Sequence, residues 1–84
     1  MSSPSDFAAM TLVRNEELLK RFGLRVRRLR TDKGLSQYQL ADLANISRSQ
    51  IMGIEKGTIN PSLCTLQAIA DGLEIELPEL VKVV

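Results

Sequence analysis

Histidine and tryptophan are absent from this 84-residue sequence, and aromatic residues make up only 4% of it. Without histidine, the chain lacks the side chain that most often transfers protons near neutral pH. Because no nucleophile is paired with a recognisable base, we expect neither an enzyme nor a bound cofactor. A chain that is 44% hydrophobic but has so few rings favours packed short helices over a sheet sandwich.

Cysteine occurs once, as Cys64, which excludes an internal disulfide. One thiol without histidine also provides too few ligands for a metal site. With Leu63 and Leu66 beside it, we expect Cys64 to be a small buried hydrophobic residue in a protein of the reducing cytoplasm. Residues 1–10 do not resemble a signal peptide, and no apolar run approaches the ~20 residues that span a bilayer, so we expect no membrane association.

The net charge of +1 conceals an uneven distribution along the chain. Residues 1–34 contain eight basic and four acidic side chains, a balance of +4, whereas residues 61–84 contain one basic and four acidic side chains, a balance of −3. This separation would orient the molecule toward a polyanion, but a solvated helix face explains the same basic residues. Charge alone leaves both interpretations open.

Apolar residues at helical spacing predict a first helix that starts after Asn15 and ends at Gly34. Asn15 is a suitable N-cap, and Gly34 can adopt the left-handed conformation of a C-terminal cap. Residues 1–13 are small and polar. We therefore expect a flexible N-terminal tail at 1–13 before a single domain at 14–84.

Two capping-box patterns, Ser36 with Gln39 and Ser47 with Gln50, start eleven residues apart. In each pattern the serine hydroxyl accepts a hydrogen bond from an early helical N–H, and the glutamine accepts one from the N–H of the serine. The patterns predict helices at about 37–44 and 48–56, joined by a very short turn. Asn45 lies in that turn, at a position that commonly requires positive φ.

Two more helices complete the prediction of an all-α fold with five helices. Ser62 can cap a fourth helix, whose apolar residues recur at helical spacing as Leu63, Leu66, Ile69, Ala70 and Leu73. Residues 74–77 alternate as a strand would, but Pro78 favours a short final helix.

The second and third predicted helices carry the strings G-L-S-Q-x-x-L-A, I-S-R-S-x-I and I-E-K-G in register, between Gly34 and Gly57. This combination resembles the phage-repressor/Cro type of helix-turn-helix domain, also called XRE-like, over about residues 19–81. The resemblance implies a compact, repressor-like DNA-binding domain with the helix-turn-helix at helices 2 and 3. Asn45 replaces a frequent glycine, a mild departure because asparagine can adopt the same backbone conformation.

The resemblance also implies that the third helix enters the DNA major groove with its N-terminal residues against base edges. The matching positions here are Arg48, Ser49, Gln50 and Gly53. Arg48 can bond O6 and N7 of guanine, and Gln50 can pair with adenine if the capping box does not occupy it. Gly53 has no side chain and can only permit close approach. A solvated surface arginine is the alternative for Arg48.

Phosphate contacts are expected from residues at the rim of this surface. Gln37 opens the second helix, where an amide side chain and free N–H groups can hold a phosphate. Lys56, Thr58 and Asn60 follow in the loop that, in similar proteins, runs along the DNA backbone. Ser47 is a further candidate, although capping alone accounts for it.

Arg30 and Glu55 are expected to form a structural ion pair. Relatives commonly pair an arginine late in the first helix with the glutamate near the end of the third. A bidentate pair would fix the recognition helix to the rest of the domain. We therefore assign Glu55 a structural role.

Proteins of this type usually bind double-stranded DNA as symmetric dimers on inverted repeats. The apolar residues of 75–84 exceed what so small a core can absorb, so we expect a homodimer contact that includes Ile75, Leu77, Leu80 and Val81. Packing within the protomer is the alternative.

Two functions fit this sequence. The first is a stand-alone transcriptional regulator, either a repressor or an autoregulatory controller. The second is an antitoxin-like protein that holds a protein partner and uses DNA binding for autoregulation. No effector region follows the helix-turn-helix, so we expect no small-molecule substrate.

Overall fold

A computed structural model describes residues 14–83, which form five helices and no strand. The helices are α1 (Glu16–Asp32), α2 (Gln37–Ala44), α3 (Arg48–Lys56), α4 (Leu63–Leu73) and α5 (Leu77–Leu80). The prediction of an all-α, five-helix fold is confirmed. The tail predicted at 1–13 lies outside the described residues.

Local hydrogen bonds set the helix ends. The Asn15 side chain accepts from the N–H of Leu18 at 2.9 Å, and both predicted capping boxes, at Ser36 and Ser47, are complete. Asn45 has φ of 56°, which lets the chain turn directly from α2 into α3. These caps position the start of α3 relative to the rest of the domain.

The core lies where α1 packs against α3 and α2 packs against α4. Its fully buried side chains are aliphatic: Val26, Leu40, Ile51, Ile54, Ile69, Leu73 and Leu80. Gly23 makes the contact between α1 and α3 possible, since a Cβ there would lie 2.5 Å from the carbonyl oxygen of Glu55. Burying these apolar faces together is what stabilises helices too short to persist alone.

The chain after α4 forms a helix, as Pro78 indicates, and not a strand. Arg25 of α1 holds this helix through Nη2, which donates to the carbonyl oxygen of Glu79 at 2.9 Å and to its Oε1 at 2.8 Å. Leu80 is fully buried in the core of its own protomer. The expectation that Leu80 contacts a second copy is therefore wrong, because the monomer already covers its side chain.

The start of α4 also differs from the prediction. Leu63 is 69% exposed and Cys64 is exposed, so Cys64 is not a buried hydrophobic residue. The helical spacing of the apolar residues is correct, but the core extends along α4 only from Leu66 to Leu73. The first turn of the helix projects beyond it. Among residues 14–83, no helix has the length and apolar character needed to cross a membrane.

Candidate nucleic-acid interface

The first turn of α3 is accessible to solvent. Arg48, Ser49 and Gln50 are all exposed, whereas Ile51 and Ile54 are buried against the core. The helix therefore divides into an anchored face and a free N-terminal turn. The free turn contains three of the four residues expected to contact bases.

Gln50 is engaged in the capping box at the start of α3. Its Oε1 accepts from the N–H of Ser47 at 3.4 Å, a long bond, while the Ser47 hydroxyl accepts from the N–H of Gln50 at 3.1 Å. A bidentate contact to adenine needs both the acceptor and the donor of the amide. To make that contact, the Gln50 oxygen would have to accept a second hydrogen bond beside the one from Ser47 or give up the bond to Ser47.

Arg48 lies over an aromatic ring that sequence reasoning did not select. Its guanidinium carbon is 4.2 Å from the centroid of the Tyr38 ring, and its Nη1 donates to the Tyr38 hydroxyl at 3.3 Å. Tyr38 is the second residue of α2 and is 66% exposed. The sequence offers one indication of this role, an aromatic residue in the polar first turn of α2. The ten residues that separate Tyr38 from Arg48 in the chain gave no indication that the two side chains are in contact.

Gly53 faces the loop after α3 and not open solvent. A Cβ at this position would lie 2.6 Å from Cγ1 of Ile59, and the Gly53 carbonyl oxygen accepts from the Thr58 hydroxyl at 3.1 Å. The expectation that Gly53 permits close approach to a base stays a prediction. Its lack of a side chain makes room for Ile59.

Arg30 and Glu55 form a nearly buried ion pair with two parallel contacts. Arg30 Nε donates to Oε2 of Glu55 at 2.6 Å and Nη2 donates to Oε1 at 2.9 Å, with side-chain exposures of 11% and 4%. Nη1 of Arg30 also donates to the Leu35 carbonyl at 2.8 Å. The hydrogen bonds to Glu55 raise the pKa of Arg30 above its ordinary value, against the opposing effect of burial.

Gln37 joins this network at the start of α2. Its Nε2 donates to Oε1 of Glu55 at 3.2 Å. Glu55 thus connects the ends of α1 and α3 with the beginning of α2. The network fixes the relative positions of the helices that carry Tyr38 and Arg48.

Four of the five expected phosphate contacts fall into two groups. Gln37 and Lys56 line the same concave surface as Arg48 and Tyr38, and this surface also includes Arg27. Thr58 and Asn60 are exposed in the loop after α3 but are not among the residues that line it. The Ser47 hydroxyl, exposed at the start of α3, is already the acceptor of the cap.

A second, largely apolar groove lies between the start of α1 and the end of the described chain. Val81 is 40% exposed there, and Leu18, Pro61, Leu66 and Val83 also line the groove. Ile75 and Leu77, also expected at a dimer contact, are half-buried and pack against the core. Of the four residues expected to form a dimer, Val81 offers the most accessible side chain.

Comparisons with known proteins give consistent results. Residues 26–80 match the family model described as "Helix-turn-helix". The immunity repressor protein of Bacillus phage phi105 is 44% identical over 59 residues, which are 70% of this chain and 41% of that protein. The chain thus spans less than half the length of the phage repressor.

Solved structures of two restriction-modification controller proteins are also similar. C.AhdI from Aeromonas hydrophila is 48% identical, with a TM-score of 0.73 over 74% of this chain and 94% of the controller. The wild-type controller C.Esp1396I is 31% identical, with a TM-score of 0.70 over 76% of this chain and 86% of that chain. The family match at residues 26–80 includes both helices that form the candidate interface.

Proposed function

The chain belongs to the phage-repressor, XRE-like type of helix-turn-helix family, and on this premise we propose that it binds an inverted-repeat operator as a homodimer. The members of this family are DNA-binding transcriptional regulators and not enzymes. In this role it acts as a repressor or an autoregulatory controller. The names of the similar phage repressor and controller proteins support this assignment.

The arrangement around Arg48 carries the proposal. Arg48 extends from the free first turn of α3 onto a concave surface that also contains Arg27 and Lys56. A helix N-terminus with exposed polar side chains suits the major groove, and cations beside it suit the flanking phosphates. We propose that Arg48, Ser49 and Gln50 contact bases, with Arg48 bound to a guanine.

The proposed phosphate contacts use donors that the free protein leaves available. Lys56 offers an exposed ammonium group. Ser47 accepts a capping bond through its oxygen, so its own O–H can still donate, and Gln37 has a second N–H beside the one that contacts Glu55. Thr58 and Asn60 would extend these contacts along the backbone from the loop after α3.

The apolar groove beside Val81 is the proposed dimer surface, and we include the half-buried Ile75 and Leu77 in the contact. Exposed Leu18 and Val81 are apolar side chains that a symmetric contact would remove from water. Two copies would place their α3 helices about 34 Å apart, one turn of DNA. One domain reaches only a few base pairs, so pairing would double the contacted sequence.

Selection of bound sequences from a random DNA pool tests the proposal directly. We expect enrichment of an inverted repeat whose half-sites lie about one helical turn apart, each with a conserved G·C pair. Enrichment of a single half-site would contradict the dimer and leave DNA recognition intact. A pool that shows no enrichment over its starting composition would contradict sequence-specific binding.

A further inference from the structure

The contact between Tyr38 and Arg48 joins the first turns of the two helices of the helix-turn-helix. We propose that Tyr38 is a positioning residue that holds the Arg48 guanidinium in the orientation that contacts a base. This role rests on the function proposed above. It adds Tyr38 to the residues that determine which sequence the protein binds.

Arg48 occupies an electrostatically unfavourable place. It is the first residue of α3, where the partial positive charge of the helix terminus opposes a cation. The first turns of α2 and α3 contain no acidic residue. The Tyr38 side chain therefore holds the guanidinium here, through the negative face of its ring 4.2 Å away and through its hydroxyl.

A neutral partner has a specific advantage at a DNA-binding surface. A carboxylate beside Arg48 would cancel its charge and repel the phosphates. The Tyr38 ring orients the guanidinium without neutralising it, so the full positive charge remains available to DNA.

The hydrogen-bonding capacity of Arg48 allows it to keep this contact when DNA binds. A guanidinium has five N–H donors in one plane, and the bond to the Tyr38 hydroxyl uses only Nη1. The edge formed by Nε and Nη2 remains free to donate to O6 and N7 of guanine. The contact with Tyr38 therefore leaves this edge of the guanidinium available to a base.

The expected size of the effect follows from the exposure of the pair. Because Tyr38 is 66% exposed, the contact has the strength of a solvent-facing cation–π pair. Such a pair corresponds to about a two- to fivefold change in an equilibrium constant. Tyr38 should therefore adjust discrimination between sequences and not determine whether DNA binds at all.

Tyrosine fluorescence tests the contact in the absence of DNA. Tyr38 is the only tyrosine of the chain, which has no tryptophan, so its emission has a single source. We expect Arg48→Ala to change the emission of Tyr38 and to increase its quenching by acrylamide. The matched control Arg28→Ala, at an exposed arginine of α1, should change neither. Identical emission and quenching in wild type and Arg48→Ala would overturn the contact on which the proposal rests.

Competition binding with duplexes that differ at the base pair recognised by Arg48 tests the positioning role. Tyr38→Ala should lower discrimination at that pair by about two- to fivefold. Tyr38→Phe keeps the ring and loses only the hydroxyl, so its loss should be smaller. In an Arg48→Ala background, Tyr38→Ala should cause no further loss, because the residue it positions is gone.

Four results would overturn the proposal. Unchanged discrimination in Tyr38→Ala would show that Arg48 needs no positioning. If Tyr38→Ala lowered discrimination equally with and without Arg48, or lowered the affinity for every sequence equally, Tyr38 itself would contact DNA. Wild-type protein without sequence preference would overturn the proposed function as well, whereas a preference that is equally strong in wild type and Tyr38→Ala would overturn only the role of Tyr38.

Discussion

Arg30 and Glu55 hold the end of α1 against the end of α3 through two hydrogen bonds, of 2.6 and 2.9 Å. Both side chains are nearly buried, and Gln37 of α2 donates to the same carboxylate. One ion pair thereby sets the position of three helices. The main role of the pair is to orient α3, because the desolvation free energy of two buried charges offsets much of the attraction between them.

Removing one member of this pair should destabilise the protein strongly. Glu55→Met leaves the Arg30 charge nearly buried without its partner, which we expect to lower the free energy of unfolding by about 3–5 kcal/mol. The double variant Arg30→Met with Glu55→Met removes both charges and should lose less than the sum of the single variants. Urea denaturation of all four proteins measures the coupling.

The exposed pair Arg28 and Asp32 is a matched control on the same helix. These side chains are 4.0 Å apart and 79% and 69% exposed, so Arg28→Ala should change the stability by about 0.5 kcal/mol or less. The assignment of a buried, coupled pair would be contradicted if the losses of unfolding free energy at Arg30 and Glu55 were additive. It would also be contradicted if the variants at Arg28 and Arg30 lost equal stability.

Gly23 should be intolerant of even a methyl group. Alanine normally stabilises a helix interior by about 1 kcal/mol relative to glycine. Here the added Cβ would lie 2.5 Å from the Glu55 carbonyl oxygen, so α1 and α3 would have to move apart. We expect Gly23→Ala to lower the free energy of unfolding by about 1–3 kcal/mol. A thermal melt that shows an increase in stability would contradict the close approach of the two backbones.

Local chemistry made the helix boundaries predictable. The capping boxes at Ser36 and Ser47 act over three residues, and they place α2 and α3 where the sequence predicts them. The positive φ of Asn45 also follows from its own side chain and its place in a short turn. These features depend on a few neighbouring residues, so they can be inferred without knowing the packing of the helices.

Burial and contacts between helices were less accessible to sequence reasoning. Leu63 and Leu80 both fit an apolar helical pattern, yet one is 69% exposed and the other is fully buried. The difference depends on where neighbouring helices end. The contact between Tyr38 and Arg48 likewise depends on how α2 crosses α3, which no local pattern encodes.

Arg48→Ala should remove sequence discrimination while it leaves the fold intact. The side chain is exposed and lies outside the core, so loss of its contact with Tyr38 should change the free energy of unfolding by about 1 kcal/mol or less. Loss of a bidentate contact to guanine should reduce discrimination at one base pair per half-site by about 1–3 kcal/mol. Competition assays with substituted operators measure this value. Unchanged preference at every position would remove Arg48 from the proposed base contacts.

Lys56→Ala should weaken the binding of all DNA sequences alike. A lysine that neutralises a phosphate releases counterions, so its loss should reduce the slope of log K against log salt by about 1. Lys82, an exposed lysine near the C-terminal end of the chain, provides a matched control that should leave the slope unchanged. Equal slopes for wild type and Lys56→Ala would remove Lys56 from the proposed phosphate contacts.

The proposed dimer surface can be tested by placing a charge in the apolar groove. Val81 is 40% exposed in the monomer, so Val81→Glu should be tolerated by the fold, but in a dimer it would bury an unpaired carboxylate. We expect sedimentation to show a dimer for the wild type and a monomer for Val81→Glu at the same concentration. Leu24→Glu, at a residue 64% exposed on α1 and outside the groove, should remain dimeric.

A wild type that stays monomeric at high micromolar concentration, with and without operator DNA, would contradict the dimer. Co-purification of a different protein that Val81→Glu no longer retains would instead favour the antitoxin-like alternative.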